Sequence, residues 1–335
     1  MGVAMVWFLP GCTTGVGITD VPDGTRDPSE PYIRGMTFNE DSQLQGGKVK
    51  RRGRTAAVAG GGVVGVGAIV VLLLNVFTGG DLDLGALLGD GAGTTQIQQQ
   101  GDTVDAASEC RTGRDANLKV ECRMEGAAES LDGYWTAEAG KLGISYTSPG
   151  FVLFSGSTDT GCGQASAATG PFYCPPDRAI YLDTAFYDDL QSKYGSSGGP
   201  LAQMYVVAHE WGHHVQQLQG AFASTDRSGT GASSGSVRVE LQADCYAGAW
   251  VGDAANTKDA NGETFFEPIT RSEINDALSA ASAVGDDSIQ QKSSGRVDPD
   301  SFTHGSSEQR QNWFMRGYQR GATSCDTFSV PGSSL

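Results

Sequence analysis

The run His209-Glu210-Trp211-Gly212-His213, inside Tyr205 to Leu218, constrains this chain more than any other stretch. Histidines at i and i+4 share one face of a helix, so both imidazoles can reach a single metal ion. Glu210 adjoins the first histidine and can touch a water on that ion without ligating it. This HExxH pattern is the zinc site and general base of peptide-bond hydrolysis. The segment must then be a helix with one face turned inward, and Tyr205-Val206-Val207-Ala208 supplies the apolar approach. Of four histidines in the chain, three lie within six residues here. The third, His214, is turned about 100° from His213 on a helix and reads as a packing or hydrogen-bonding residue.

A catalytic zinc takes three protein ligands and keeps one position open. The stretch Glu240-Leu241-Gln242-Ala243-Asp244 offers two carboxylates on one helix face. Glu240 is the expected third ligand. Asp244 is expected behind it, accepting a hydrogen bond from the free ring nitrogen of His209 and so fixing its tautomer. Ala243, Ala247 and Gly248 keep that face small enough for close approach to the HExxH helix. The bland alternative is a solvated acidic face. His304, just ahead of a helix, can stabilise the oxyanion opposite the metal as a second catalytic group beside Glu210; a capping or packing histidine is the open alternative.

The rest of the chain says where such a site would sit. A formal net charge of −16 excludes nucleic acid as a partner. Thr55 to Phe77 carries no charged residue, follows the basic cluster Lys48, Lys50, Arg51, Arg52 and Arg54, and is long enough to span a bilayer core of about 30 Å as a helix. No Lys or Arg follows before Cys110, so the positive-inside rule puts residues 1–54 in the cytoplasm and the remainder outside, in a single-pass cell-membrane protein. A cleaved signal peptide competes with this reading. Against it stand the length of the apolar stretch, beyond the usual ~7–15 residues, and the lack of an A-x-A site. Residues 1–35 show no periodicity; Met36 reads as a fresh start, so they either precede the biological start or form a cytoplasmic tail. Residues 78–109 read as a flexible linker, and 110–335 as the folded domain. Beyond the expected span lie six cysteines, an even number suited to an oxidising compartment. Fifteen pairings are formally possible. Local proximity favours Cys110–Cys122 and Cys162–Cys174, elimination leaves Cys245–Cys325, and free thiols are the alternative.

Within the domain, spacing predicts helices around 127–140, 184–194, 201–218, 236–251, 270–278 and 306–320. Thr270-Arg271-Ser272-Glu273 reads as a capping box. Asp183 or Thr184 reads as a cap for the second helix. Phe151–Phe154 and Ala179–Leu182 read as short strands, with a disulfide-stapled loop from Gly161 to Pro176. The expected class is α+β, mostly helical with a small sheet.

HExxH followed by ExxxD resembles the glutamate-zincin class, and more narrowly the bacterial membrane-anchored neutral zinc metallopeptidase family. The similarity extends to Leu153-Phe154-Ser155-Gly156, Gly170-Pro171-Phe172-Tyr173-Cys174-Pro175, Tyr181-Leu182-Asp183, Thr303-His304-Gly305-Ser306-Ser307, Gln309-Arg310, Trp313-Phe314 and Gly317. It covers almost everything after Met36 and implies a zincin-like domain with one Zn²⁺ per chain on His209, His213 and Glu240. The partners expected are a peptide or protein substrate and the lipid bilayer; oligomeric state and natural substrate stay open. By analogy of fold, the strand near Ala179–Leu182 offers an edge that a substrate could extend. The rival readings are an envelope binding or chaperone-like module with zinc but no turnover, and a protein in which zinc only staples two helices.

Overall fold

Short apolar runs such as Phe151–Phe154 and Ala179–Leu182 become strands, and several polar stretches join them. In the computed structural model, which describes residues 37–52, 103–105 and 109–335, they are β1 (Val49–Arg52), β2 (Thr103–Asp105), β3 (Gly150–Phe154), β4 (Ser157–Thr160), β5 (Gly163–Ser166), β6 (Phe172–Cys174) and β7 (Ala179–Asp183). Five form one mixed sheet in the order β2-β1-β3-β7-β6, and β4 and β5 make a separate hairpin. The β1–β3 and β3–β7 pairs are parallel, whereas β1–β2 and β6–β7 are antiparallel. Alternation along the strands divides their side chains. Phe151, Leu153, Ile180 and Leu182 enter the main core, and Val152, Phe154, Phe172 and Tyr181 form a smaller cluster on the other face. The stapled loop expected between Gly161 and Pro176 thus contains β5 and β6. The strand expected as an open edge, β7, is instead enclosed between β3 and β6, so β6 is the edge on that side.

Among the described residues, eight α-helices of six residues or more carry most of the core: α1 (Gly113–Leu118), α2 (Val120–Glu138), α3 (Phe186–Ser192), α4 (Pro200–Gln219), α5 (Gly235–Asp253), α6 (Arg271–Ala283), α7 (Asp286–Ser294) and α8 (Ser307–Arg320). Pro200 opens α4 at its first turn, where a missing N–H costs nothing, and Gly220 closes it at φ +76°. Ser234 caps α5, and capping boxes start α6 (Thr270 with Glu273) and α8 (Ser306 with Gln309). The cap expected at Asp183 or Thr184 is absent: α3 begins after Ala185, and Asp183 accepts from the Ala185 N–H at 3.0 Å. The short, polar α7 has no sequence signal strong enough to announce it.

Helix approach is set by glycines. A Cβ on Gly212, inside the HExxH run, would sit 3.0 Å from the Ala243 Cα, so this glycine lets α5 lie against α4. Gly248, expected on that same interface, faces α8 instead: its Cβ would lie 1.9 Å from the Phe314 carbonyl oxygen. Gly317 returns the contact, with a Cβ position 1.8 Å from the Cys245 carbonyl oxygen.

The folded unit begins earlier than Cys110. Residues 37–52, expected outside the domain, are part of it: Phe38 is fully buried against Phe266, and β1 lies within the sheet. Only Phe38, Leu44 and Val49 anchor the segment apolarly, too few to show a period. The three expected disulfides are present, and Cys245–Cys325 closes the longest loop, 80 residues apart in sequence. Among the described residues no helix is long and apolar enough to cross a membrane. The stretches 1–35 and 55–77, and most of 78–109, lie outside the described residues.

Candidate metal centre

Helix α4 brings His209, Glu210 and His213 to one surface, and α5 delivers Glu240 against it. One ligand atom from each of His209, His213 and Glu240 falls within 4.8 Å of the others. The His209 Nε2 lies 3.1 Å from Glu240 Oε2, and His213 Nε2 lies 3.6 Å from Glu240 Oε1. Ligand bonds of about 2.0–2.1 Å in a tetrahedron set ligand–ligand separations of roughly 3.3–3.4 Å. The donor set therefore fits zinc in kind and in spacing.

Both imidazoles are oriented from behind. His213 Nδ1 is 2.8 Å from the Gln216 side-chain oxygen, and Gln216 is itself held by the Val239 carbonyl oxygen and by Gln242. His209 Nδ1 lies 2.8 Å from Asp244 Oδ1. Asp244 is fully buried and accepts more than that one bond. Arg310 from α8 grips it with two parallel bonds, Nε to Oδ2 at 2.8 Å and Nη2 to Oδ1 at 2.9 Å, and the Tyr205 hydroxyl donates to Oδ1. A carboxylate held this way can only accept, so His209 donates to it from Nδ1, and Nε2 is the nitrogen that faces Glu240 and would meet a metal ion. Arg310 and Tyr205 were not assigned roles by spacing. Arg310 sits far from the motif in sequence and only the packing of α8 on α5 brings it in.

The charges agree with a cation site. Without a metal, burial disfavours a charged His209, but the Asp244 charge and hydrogen bond and the Glu240 contact outweigh it and push the imidazole up to about 10. Burial pulls His213 down to about 4. Glu240 stays well below the usual carboxylate range: burial opposes this, and His213 and His209 overcome it. Burial pushes Glu210 up to about 7, opposed by the charge on His209 and by a hydrogen bond from the Tyr173 backbone N–H of β6.

These groups and His304 line one cavity of about 110 Å³. Asp286, at the start of α7, accepts from the backbone N–H groups of Thr303, His304 and Gly305 and lies 3.2 Å from His304 Nδ1. The Nε2 of His304 is the nitrogen left for a group in the cavity. Phe186, Tyr194, Val206, Val284 and Ile289 give it an apolar wall. His214 lies outside the cluster, with Nδ1 2.9 Å from the Tyr173 hydroxyl and Nε2 2.6 Å from the Thr147 carbonyl oxygen.

A family profile described as "Putative neutral zinc metallopeptidase" matches residues 34–328. The chain belongs to that family. Among its relatives, the "Uncharacterized protein Rv2575" of Mycobacterium tuberculosis (strain ATCC 25618 / H37Rv) is 49% identical over 252 residues, covering 73% of this chain and 85% of that protein. The "Uncharacterized protein YpfJ" of Escherichia coli (strain K12) is 44% identical over 200 residues, 58% of this chain and 66% of that protein. No solved structure matches the chain. The His209, His213 and Glu240 cluster, the cavity and the β6 edge all fall inside the region that the neutral zinc metallopeptidase profile spans.

Proposed function

We propose that this neutral zinc metallopeptidase family member is a zinc-dependent endopeptidase, with His209, His213 and Glu240 as ligands and Glu210 as general base. The observation that carries the reading is Glu210: a buried carboxylate lining the same cavity as the three-ligand cluster, which a purely structural zinc would not need. A bound zinc supplies Lewis-acid polarisation and makes a water acidic enough to lose its proton near neutral pH. Glu210 accepts that proton as the water attacks the peptide carbonyl, then delivers it to the leaving amine. The Tyr173 N–H holds Glu210 in place during both transfers. His304, fixed at Nδ1 by Asp286, donates from Nε2 to the oxyanion.

The edge available for an extended substrate is β6, whose Tyr173 already reaches Glu210, rather than β7. The apolar wall of Phe186, Tyr194, Val206, Val284 and Ile289 suits an aliphatic or aromatic side chain next to the scissile bond. Purified protein is expected to bind one zinc per chain and to cleave a broad peptide library next to apolar residues. Chelator should abolish cleavage, and Glu210→Ala should abolish it while retaining zinc. Stoichiometric zinc with no cleavage of any library member would favour the rival, a zinc-binding envelope module without turnover.

A further inference from the structure

The segment before β1 is held by the interior of the domain, not laid on its surface. Phe38 is fully buried, and its backbone N–H and carbonyl both bond the Asn117 side chain, at 3.0 and 2.9 Å. Two carboxylates one turn apart on α2 clamp the following backbone. Glu125 accepts from the N–H groups of Lys48 and Val49, and Glu129 from those of Gln45 and Gly46. Glu125 is fully buried. Removing the segment would strip it of those two backbone donors in a low-dielectric interior, which is costly for a carboxylate. β1 then pairs with β3 from Val49↔Phe151 to Arg52↔Phe154.

Three members of the basic cluster are engaged through their side chains. Lys48 pairs with Asp132 and Arg51 with Glu109, while Arg52 donates to the Thr158 hydroxyl and the Asp159 carbonyl oxygen. The partner of Arg52 on the other side is Thr103 of β2. Arg52 and Thr103, the described residues on either side of 53–102, therefore lie about 5 Å apart across the ladder.

We propose that residues 37–52 and 109–335 lie on the same side of any membrane to which this chain is attached. Strands of one ladder are about 4.8 Å apart, and a bilayer core of about 30 Å cannot pass between them. A single crossing by the 55–77 stretch would leave β1 on one side and β3, α2 and Asn117 on the other. Attachment through that stretch has to return the chain to the side it left. Lys48, Arg51 and Arg52 then serve the fold and cannot be the cytoplasmic flank that the positive-inside rule reads. Three disulfides in the same unit favour the oxidising side for all of it.

The test uses the full chain in bacterial cells, with one epitope tag at the N-terminus and another after Leu335. Protease added to spheroplasts should remove both tags or spare both, and lysis should expose both. Loss of one tag with protection of the other overturns the proposal. A second measurement requires no tag. A photo-crosslinking residue at the exposed Gln43, beside Asp259 and Thr112, should crosslink to peptides containing those residues on irradiation of intact cells. A crosslink that forms only after detergent solubilisation, or never forms, overturns it.

Discussion

Arg310→Met removes the double grip on Asp244 and keeps most of the side-chain volume. Asp244 is fully buried and Arg310 is 3% exposed, so no solvent compensates either group. Breaking a buried, hydrogen-bonded ion pair by removing one partner costs about 3–5 kcal/mol. For a folded unit of this size each kcal/mol lowers Tm by about 2–4 °C, so the metal-free protein should melt roughly 6–20 °C earlier. Asp244 also fixes the His209 tautomer, and loss of such support weakens zinc by about 10–100-fold. Arg310→Lys keeps the charge without the fork and should fall between wild type and Met on both measures. Thermal unfolding in chelator reads the first effect, and competition with a chromogenic chelator reads the second. Intact disulfides and an unchanged circular dichroism spectrum at low temperature establish that the variants are folded. A drop in Tm under about 3 °C, with zinc affinity unchanged, would refute the assignment of Arg310 as the residue that positions Asp244.

Two further outcomes follow from the geometry. Glu210 must be ionised to act as a base, so kcat/KM should fall as pH drops through its pKa. Burial, partly offset by His209 and the Tyr173 N–H, puts that at about 7, and the charge of bound zinc pulls it lower, so a pH–rate profile whose acid limb lies above pH 7 would contradict the role. Gly317→Ala puts a methyl into the Cys245 carbonyl oxygen and should cost about 1–3 kcal/mol or more by forcing α8 from α5. Gly133→Ala, on the exposed face of α2 with nothing within 4 Å of the new methyl, should instead stabilise by about 0.4–1 kcal/mol; equal Tm values for the two would remove the packing argument.

The metal cluster was legible because its residues are spaced by the helix itself. His209 and His213, and Glu240 and Asp244, each lie four apart, and periodicity alone puts each pair on one face. What escaped is what only tertiary packing creates. Arg310 joins the site because α8 packs on α5 through Gly248 and Gly317, and no local pattern encodes that approach. Asp286 was hidden at the start of a polar helix, although it is the residue that steadies His304. β7 read as an edge because a short apolar run such as Ala179–Leu182 looks alike in the middle of a sheet and at its margin. Residues 37–52 read as a flank because much of their hold is through backbone N–H groups on Glu125 and Glu129, and their three apolar anchors show no period.

That hold has a consequence for how the chain comes to be folded. Among the described strands β1 is the first to be synthesised, yet its parallel partner is β3, with Val49 meeting Phe151, and its clamp is on α2. Such distant pairing must pay loop closure before any contact rewards it, so it forms slowly. Of the described strands β1 therefore waits longest for its parallel neighbour, and until Phe154 is available that side of it is an edge open to wrong partners.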